Sequence, residues 1–168
     1  MKSGRTFLQI LLGVLAPLGL AAPSAADVTA PAVEDHEFRP FDESANAMQD
    51  IDAALLAAKP GGRRVALILG GNWCHDSRSL AKKVKTEPLK TLVADRYQIV
   101  WIDVGRRDRN LDAARRFGVE KLIGTPAIIV LSADGKVLNA DSVHDWRNAD
   151  SRTDEETYRY FESFAGVE

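Results

Sequence analysis

The stretch that decides the fold reads VALILGGNWCHDS and spans residues 65–77. Its first five residues are all apolar. Such a run is too short for a helix and is typical of a strand that is buried on both faces. Gly70 and Gly71 end the run and predict a turn. A helix is predicted from Cys74 to about Lys85, so a cysteine lies where a buried strand passes into a helix.

Cys74 is the only cysteine in the 168 residues, which excludes an internal disulfide and a cysteine-based zinc ribbon. A helix N-terminus presents unpaired N–H groups and a partial positive charge, and both favour the reactive thiolate. Trp73 supplies a flat apolar wall beside the thiol, and His75 and Arg78 can add positive charge that Asp76 opposes. We interpret Cys74 as a reactive thiol. The alternative, a small buried cysteine, suits a position in mid-strand better.

The rest of the chain alternates between helical and strand patterns. Helices are predicted at 44–59, 74–85, 110–118 and 154–164, with a further short helix that starts at Glu87-Pro88, and strands at 65–69, 98–104, 127–131 and 136–138. Asp42 or Ser44 is expected to cap the first helix, and Asn110 the helix that follows 98–104. Strands joined by helices run parallel, and the turn at Asp134-Gly135 makes the last two strands antiparallel. The sequence therefore predicts an α/β fold, with a central mixed β-sheet and helices on both faces.

The amino-terminal residues 1–26 have the pattern of a secretory signal peptide. Lys2 and Arg5 form a basic start, an apolar run follows over residues 7–20, and Ser24 and Ala26 are the small residues of a cleavage site. A membrane anchor is the less favoured alternative, because a spanning helix needs about 20 apolar residues and glycine and proline interrupt this run. We expect the mature protein to be secreted across the cytoplasmic membrane, in a bacterial periplasm, without a stable membrane anchor.

The mature chain is predicted to be one domain with a short leading segment. Residues 27–41 contain two prolines and no clear period, which indicates an extended arm, and residues 42–168 form the domain. Lysine and arginine number 22 against 24 aspartates and glutamates, a net charge of −2. This balance gives no support for a nucleic-acid partner, and the sequence leaves the oligomeric state open.

Two parts of the sequence carry a resemblance to a known family. Residues 71–77, GNWCHDS, are similar to a Trp-Cys-x-x-Cys motif with serine in place of the second cysteine. The segments at 100–103, 117–119, 124–130 and 134–136 then follow in the order of a central strand, a third helix, a cis-proline strand and a hairpin. In this order and spacing the chain resembles the thioredoxin superfamily over about residues 42–168, which implies a thioredoxin-like fold.

The resemblance implies roles for individual residues. Cys74 matches the attacking cysteine of the family, and Pro126 matches the cis-proline that faces it and shapes the substrate groove. Thr125, directly before that proline, is expected to offer backbone hydrogen bonds to an extended substrate peptide. Trp73 and His75 flank the cysteine and are expected to contact substrate.

Two positions depart from the family pattern. Ser77 replaces the resolving cysteine; its hydroxyl cannot release a mixed disulfide, although it can hydrogen-bond the Cys74 thiolate. Ile68 stands where many members carry a buried acid that assists proton transfer. We therefore expect monothiol exchange, of the isomerase or deglutathionylation type, with protein disulfides or glutathione-type thiols as partners and no cofactor. A non-catalytic binding module and a single-cysteine redox sensor are the alternatives.

Two further features give weaker signals. The histidines are far apart in the sequence, so a metal site that combines Cys74 with His75 and His144 has no support, and we predict no metal site. The polar segment 139–153 contains Trp146 and is longer than most connections. We favour a solvated loop there over an insert that covers the groove.

Overall fold

The computed structural model describes residues 38–166. The predicted signal peptide and most of the predicted arm lie outside the described residues, so both stay predictions. Within the described part, no helix is long and apolar enough to cross a membrane. The elements, in chain order, are α1 (Ala47–Ala58), β1 (Arg64–Gly70), α2 (His75–Val84), α3 (Leu89–Arg96), β2 (Tyr97–Asp103), α4 (Leu111–Arg115), β3 (Ala127–Leu131) and α5 (Asp154–Phe164).

The sheet has three strands in the order β2-β1-β3. β1 pairs with β2 in parallel, from Arg64 opposite Tyr97 to Gly70 opposite Asp103. All seven residues of β1 are buried, as expected for the central strand of a sheet that is covered on both faces. The predicted mixed sheet with helices on both faces is confirmed.

Alternate side chains of β1 enter two separate hydrophobic clusters. Val65, Leu67 and Leu69 pack with residues of α1 and α4, whereas Ala66 and Ile68 pack with residues of α2, α3 and α5. Because successive side chains of a strand point to opposite faces, one continuous apolar run fills both halves of the core. The Cys74 turn is thus fixed to a central strand that is buried along its whole length.

The direction of β3 differs from the prediction. β3 runs antiparallel to β1, with Ala127 opposite Leu69, whereas the pattern of strands joined by helices predicted a parallel strand. The connection between β2 and β3 contains only the five-residue helix α4, about 7.5 Å long, and no helix that spans the roughly 23 Å of a seven-residue strand. It is therefore not the long crossover helix that the parallel prediction assumed, and β3 starts beside the end of β1, near the Cys74 turn.

The predicted fourth strand is absent from the described part of the chain. Residues 136–138 form one isolated bridge to β3, and the side chain of Asn139 then takes the place of a strand backbone. Its Oδ1 accepts from the Val130 N–H at 2.8 Å, and its Nδ2 donates to the Ile128 carbonyl at 2.8 Å. Because this side chain satisfies the outer edge of β3, no further ladder forms there.

The start of α1 also differs from the prediction. The N-cap is Asn46, whose side chain accepts a hydrogen bond from the Gln49 N–H at 3.2 Å. Asp42 instead closes a local turn, since its Oδ1 accepts from both the backbone N–H and the hydroxyl of Ser44. Asparagine is as good an N-cap as aspartate or serine, and here Asn46 defines where α1 begins.

The cap predicted for α4 is confirmed in its position but not in its bonding. Asn110 is the N-cap of the helix, but its side chain donates to the Asp103 carbonyl at 2.7 Å and makes no cap hydrogen bond. Its backbone has a φ of 51°, in the left-handed region that asparagine tolerates better than most residues. The α4 helix is shorter than predicted, and Gly118, with a φ of 81°, lies in the turn beyond it.

Candidate functional site

Cys74 lies at the junction of β1 and α2. It is the N-cap of the ten-residue helix α2 and not part of its first turn, as the sequence had suggested. The Cys74 N–H donates to the Gly71 carbonyl at 3.0 Å, which closes the turn, and the Cys74 carbonyl accepts from the Arg78 N–H at 3.1 Å. The side chain is 8% exposed. A nearly buried thiol thus stands at the amino end of a helix.

The wall opposite the thiol is the segment that leads into β3. Cys74 Sγ lies 3.5 Å from the carbonyl oxygen of Thr125, to which the thiol can donate. The Thr125–Pro126 peptide bond is cis, and both residues are buried. The antiparallel start of β3 beside the end of β1 is what brings these two parts of the chain together. The predicted substrate-binding roles of both residues stay predictions.

Each of the two segments that meet at the thiol carries one exposed apolar side chain. Trp73 is 47% exposed and Ile123 is 49% exposed, and only one other large apolar side chain of the described residues is as open to solvent. Sequence reasoning singled out Trp73 but missed Ile123. Its signal is its place, two residues before Thr125, since a residue beside a substrate-binding strand is itself a candidate for contact.

A buried acid holds the loop beneath Trp73. Asp103, at the end of β2, is 4% exposed, and its Oδ1 accepts from the Gly105 N–H at 2.9 Å. Arg109 Nη1 lies 3.4 Å from the same oxygen. The Gly105 carbonyl in turn accepts from Trp73 Nε1 at 2.6 Å. Asp103 thus positions the indole through the loop, a role that its place in the sequence did not reveal.

Ser77 is buried but is not bonded to the thiol. Its Oγ has no hydrogen-bond partner among the described residues, and it lies against Gly70, where an added Cβ would come within 2.6 Å of it. The same Cβ would come within 2.6 Å of the ring of Phe41. Glycine is therefore required at this point, and the hydrogen bond predicted between Ser77 and Cys74 is not formed in this arrangement.

The polar segment 139–153 is not a simple solvated loop. Trp146 is 2% exposed and belongs to the core cluster that contains α2 and α5. Asp150 fixes the segment to the first turn of α2, because its N–H donates to Asp76 Oδ1 at 3.0 Å and its carboxylate lies 3.6 Å from His75 Nδ1. The preference for a loop was wrong: the segment is anchored in the core and borders the cysteine.

The histidines do not form a metal site with the cysteine. In residues 38–166 no group of three His, Cys, Asp or Glu side chains could hold a metal ion. His75 pairs with Asp150, as described above, and is mostly exposed. The pKa of His144 is lowered, chiefly because burial disfavours the charged imidazole, and the positive charge of Arg147 adds to the effect.

Comparisons with known proteins agree with this geometry. A family model described as thioredoxin-like matches residues 46–133. The crystal structure of a disulphide isomerase from Xylella fastidiosa Temecula1 is 34% identical, has a TM-score of 0.71 and covers 76% of this chain and 97% of that chain. A mutant thioredoxin from Halobacterium salinarum NRC-1 is 18% identical, with a TM-score of 0.45, over 74% of this chain and 88% of that chain. No curated protein matches the chain in sequence.

Proposed function

Because the chain belongs to the thioredoxin-like family, we propose that it performs monothiol thiol–disulfide exchange through Cys74. One observation carries the proposal. The thiol lies at the amino end of α2, 3.5 Å from the Thr125 carbonyl, and each of the two segments that meet there carries one exposed apolar side chain. A protein of similar structure is named as a disulphide isomerase, which supports exchange with protein disulfides.

The exchange step conserves electrons between the two partners. Cys74 loses its proton to solvent, and its thiolate attacks one sulfur of a substrate disulfide. A new S–S bond joins Cys74 to the substrate, the old S–S bond breaks, and the other sulfur leaves as a thiolate. A second thiol must then attack the mixed disulfide, because the serine hydroxyl of Ser77 cannot. In isomerisation that thiol belongs to the substrate, and in deglutathionylation it belongs to a second glutathione.

The side chains around the thiol suit an extended substrate. Trp73 and Ile123 offer apolar area on either side of Cys74, and burial of such area favours binding. Thr125 and Pro126 line the opposite wall. His75 lies at the exposed start of α2 and is held near Asp150. We assign these residues to substrate contact. Ile68, which stands where many family members carry a buried acid, is wholly buried and cannot accept a proton, so the Cys74 thiol releases its proton to solvent.

The proposed place of action is the cell envelope, which follows from the signal-peptide pattern of residues 1–26. Disulfides form and persist outside the cytoplasm, so an exchange protein there meets its substrates. Expression of the chain with its own leader, followed by fractionation of bacterial cells, tests this part. Recovery of a shortened chain in the periplasmic fraction supports it, and an uncut chain in the cytoplasm contradicts it.

The activity is tested by intact mass spectrometry after the purified protein meets glutathione disulfide. We expect the mass to rise by one glutathione and to return to its starting value when reduced glutathione or dithiothreitol is added. Cys74→Ser is the matched control and should show no adduct. A wild-type protein that forms no adduct, with glutathione disulfide or with a scrambled protein substrate, would contradict the proposal.

A binding module without turnover is the second candidate, and the low exposure of Cys74, 8%, favours it. In this case the groove binds partner proteins, and the Cys74 side chain only fills space in the packed interior. Cys74→Ala separates the two functions, since it keeps the groove and removes the chemistry. A variant that binds partner proteins and restores a deletion strain as well as wild type supports the binding module, whereas loss of restoration supports exchange.

A further inference from the structure

A cavity of about 450 Å³ lies beside the loop after β2, the loop whose Gly105 carbonyl accepts from Trp73 Nε1. Four basic side chains line it, namely Arg106, Arg107, Arg115 and Lys121, and Glu120 is the only acid among its lining residues. Apolar side chains, including Leu111 and Leu122, complete the wall. The cavity therefore has a strong excess of positive charge above an apolar base.

The four basic groups of this cavity form no ion pair within the described chain. Neighbouring arginines do form them: Arg109 lies 3.4 Å from Asp103, and Arg116 lies 2.7 Å from Asp52. Like charges held around one concave site repel each other and attract counter-ions. The cavity is thus suited to an anion that the protein itself does not supply.

The backbone of the adjoining loop cannot bind that anion. The N–H groups of Arg107, Asp108 and Arg109 all point at the Val104 carbonyl, at 2.7, 3.1 and 3.4 Å, and the Arg106 N–H donates to Asp108 Oδ1 at 3.0 Å. The donors available to a ligand are therefore the guanidinium and ammonium groups. Guanidinium groups bind carboxylates through two parallel hydrogen bonds.

Two routes along the chain connect the cavity with the thiol. The guanidinium of Arg106 lies 5.6 Å from the ring of Trp73, the residue before Cys74. On the other side, Leu122 lines the cavity, and Thr125, which faces Cys74 Sγ, follows three residues later. Three residues span at most about 11 Å. A substrate of ordinary size can therefore reach both places at once.

We propose that this cavity binds carboxylate groups of the disulfide substrate, set to one side of the sulfur that Cys74 attacks. The inference rests on the proposed exchange activity and narrows its substrates to disulfides that carry nearby carboxylates. Glutathione and an acidic peptide segment share this chemistry. In this proposal Trp73 and Ile123 contact the apolar part of the substrate near the sulfur, and the cationic cavity binds the carboxylates beside it.

The test compares rates of mixed-disulfide formation for pairs of probes that differ only in carboxylate charge. One pair is glutathione disulfide and its ethyl ester. The other is a peptide disulfide with two glutamates beside the cysteine and the same peptide with glutamines. Each is measured with wild type, with the double variant Arg115→Gln/Lys121→Gln, and with the control Lys90→Gln/Arg96→Gln. The control removes the same charge from α3, which covers the other face of the sheet.

We expect the charged probe of at least one pair to react about 10-fold faster with wild type at low salt. The advantage should shrink in high salt, fall in the Arg115/Lys121 double variant and persist in the control. If the preference occurs in one of the two pairs and not in the other, that pair shows whether the carboxylates belong to glutathione or to an acidic peptide segment. Equal rates within both pairs, or a preference that survives in the double variant, would overturn the inference.

A binding measurement separates this inference from the activity itself. The S-methylated thiol form of each probe cannot exchange, and its affinity is measured by calorimetry with the same three proteins. If no disulfide reacts, the exchange proposal fails. Charge-dependent binding that the Arg115/Lys121 variant loses and the control keeps would still support the cavity. Absence of charge-dependent binding in wild type would then overturn it.

Discussion

The two ends of strand β1 are built from different kinds of contact. At the amino end, Arg64 Nε donates to the Phe164 carbonyl at 2.9 Å, and the Tyr97 hydroxyl donates to the Phe161 carbonyl. At the carboxyl end, Ser77 Oγ has no partner among the described residues, and Cys74 Sγ faces the Thr125 carbonyl. The two amino-end side chains thus donate to backbone carbonyls of α5, whereas the buried Ser77 hydroxyl at the carboxyl end makes no such bond within the described residues.

This difference separates the stability of the fold from its chemistry. The rings of Tyr97 and Phe161 meet edge to face, with centroids 5.5 Å apart, and α5 is held by a capping box between Thr153 and Glu156. Changes at the amino end should therefore alter the free energy of unfolding and leave exchange alone. At the carboxyl end, removal of the Cys74 thiol should abolish exchange, whereas removal of the nearby Ser77 hydroxyl should have little effect on either property.

Trp146→Ala is expected to lower both the free energy of unfolding and the rate of exchange, and its effect should be the largest of these substitutions. The indole is buried, packs 4.8 Å from the ring of Tyr160 on α5, and anchors the segment that borders Cys74. Removal of a buried aromatic ring lowers the free energy of unfolding by about 3 kcal/mol, measured by denaturant titration. The exchange rate should fall too, because the segment loses its anchor.

The exposed residue Asp141, in the same segment, supplies the control for Trp146. Asp141→Asn should change the free energy of unfolding by less than about 0.5 kcal/mol and leave exchange unaltered. If Trp146→Ala behaved like Asp141→Asn, the segment would be a solvated loop after all, and its anchoring role would be refuted.

Tyr97→Phe sharpens the comparison at the amino end. It removes one buried hydroxyl and leaves the Phe161 carbonyl without that donor, which should lower the free energy of unfolding by about 1 to 2 kcal/mol. The exchange rate with glutathione disulfide should not change. A clear loss of exchange in this variant, with the fold intact, would show that the two ends are coupled.

Tyr97 should also lower the free energy of unfolding at alkaline pH. Burial raises the pKa of Tyr97 above its ordinary value of 10.0, and burial raises that of Tyr160 to about 12. Above pH 10 the unfolded chain loses these protons while the folded chain keeps them, so stability falls as the pH rises. The fall should be smaller in Tyr97→Phe, with Tyr160 giving the remainder. Denaturant titrations from pH 8 to about 11 measure it, and equal slopes in the two proteins would contradict this assignment.

Ser77→Ala is expected to have the smallest effect. The hydroxyl has no partner to lose, so its removal should leave the free energy of unfolding unchanged or raise it by up to about 1 kcal/mol. Exchange should proceed at the wild-type rate. A slower reaction would instead show that the Ser77 hydroxyl bonds the Cys74 thiolate during exchange, as the sequence suggested.

Local patterns were sufficient for some elements of the fold and not for others. The apolar run of β1 and the periodic pattern of α5 predicted those elements almost to the residue, because each follows from the burial of its own side chains. The direction of β3 is defined by its pairing with β1, a contact between distant parts of the chain that no local pattern shows. The missing fourth strand depended on Asn139, whose side chain bonds to strand residues about ten positions away.

The residues of the site also fall into two groups, those that local sequence patterns could predict and those that they could not. The family resemblance placed Pro126 opposite Cys74, and the structure places the carbonyl of the preceding Thr125 3.5 Å from Cys74 Sγ; the substrate-binding roles stay predictions. Asp103 and Asp150 act through a loop carbonyl and through the first turn of α2, and these contacts exist only after the chain has folded. The cationic cavity likewise joins Arg106 to Lys121 across α4, and no local sequence pattern brings these residues together.

The most direct test of the account follows the lifetime of the mixed disulfide in wild type and in Ser77→Cys. Both proteins are loaded with glutathione disulfide, freed of excess reagent and followed by intact mass spectrometry. We predict that the wild-type adduct persists until a thiol is added, whereas Ser77→Cys releases glutathione unaided and forms a disulfide between residues 74 and 77. A wild-type adduct that decays unaided as fast as that of Ser77→Cys, or one that never forms, would contradict monothiol exchange through Cys74.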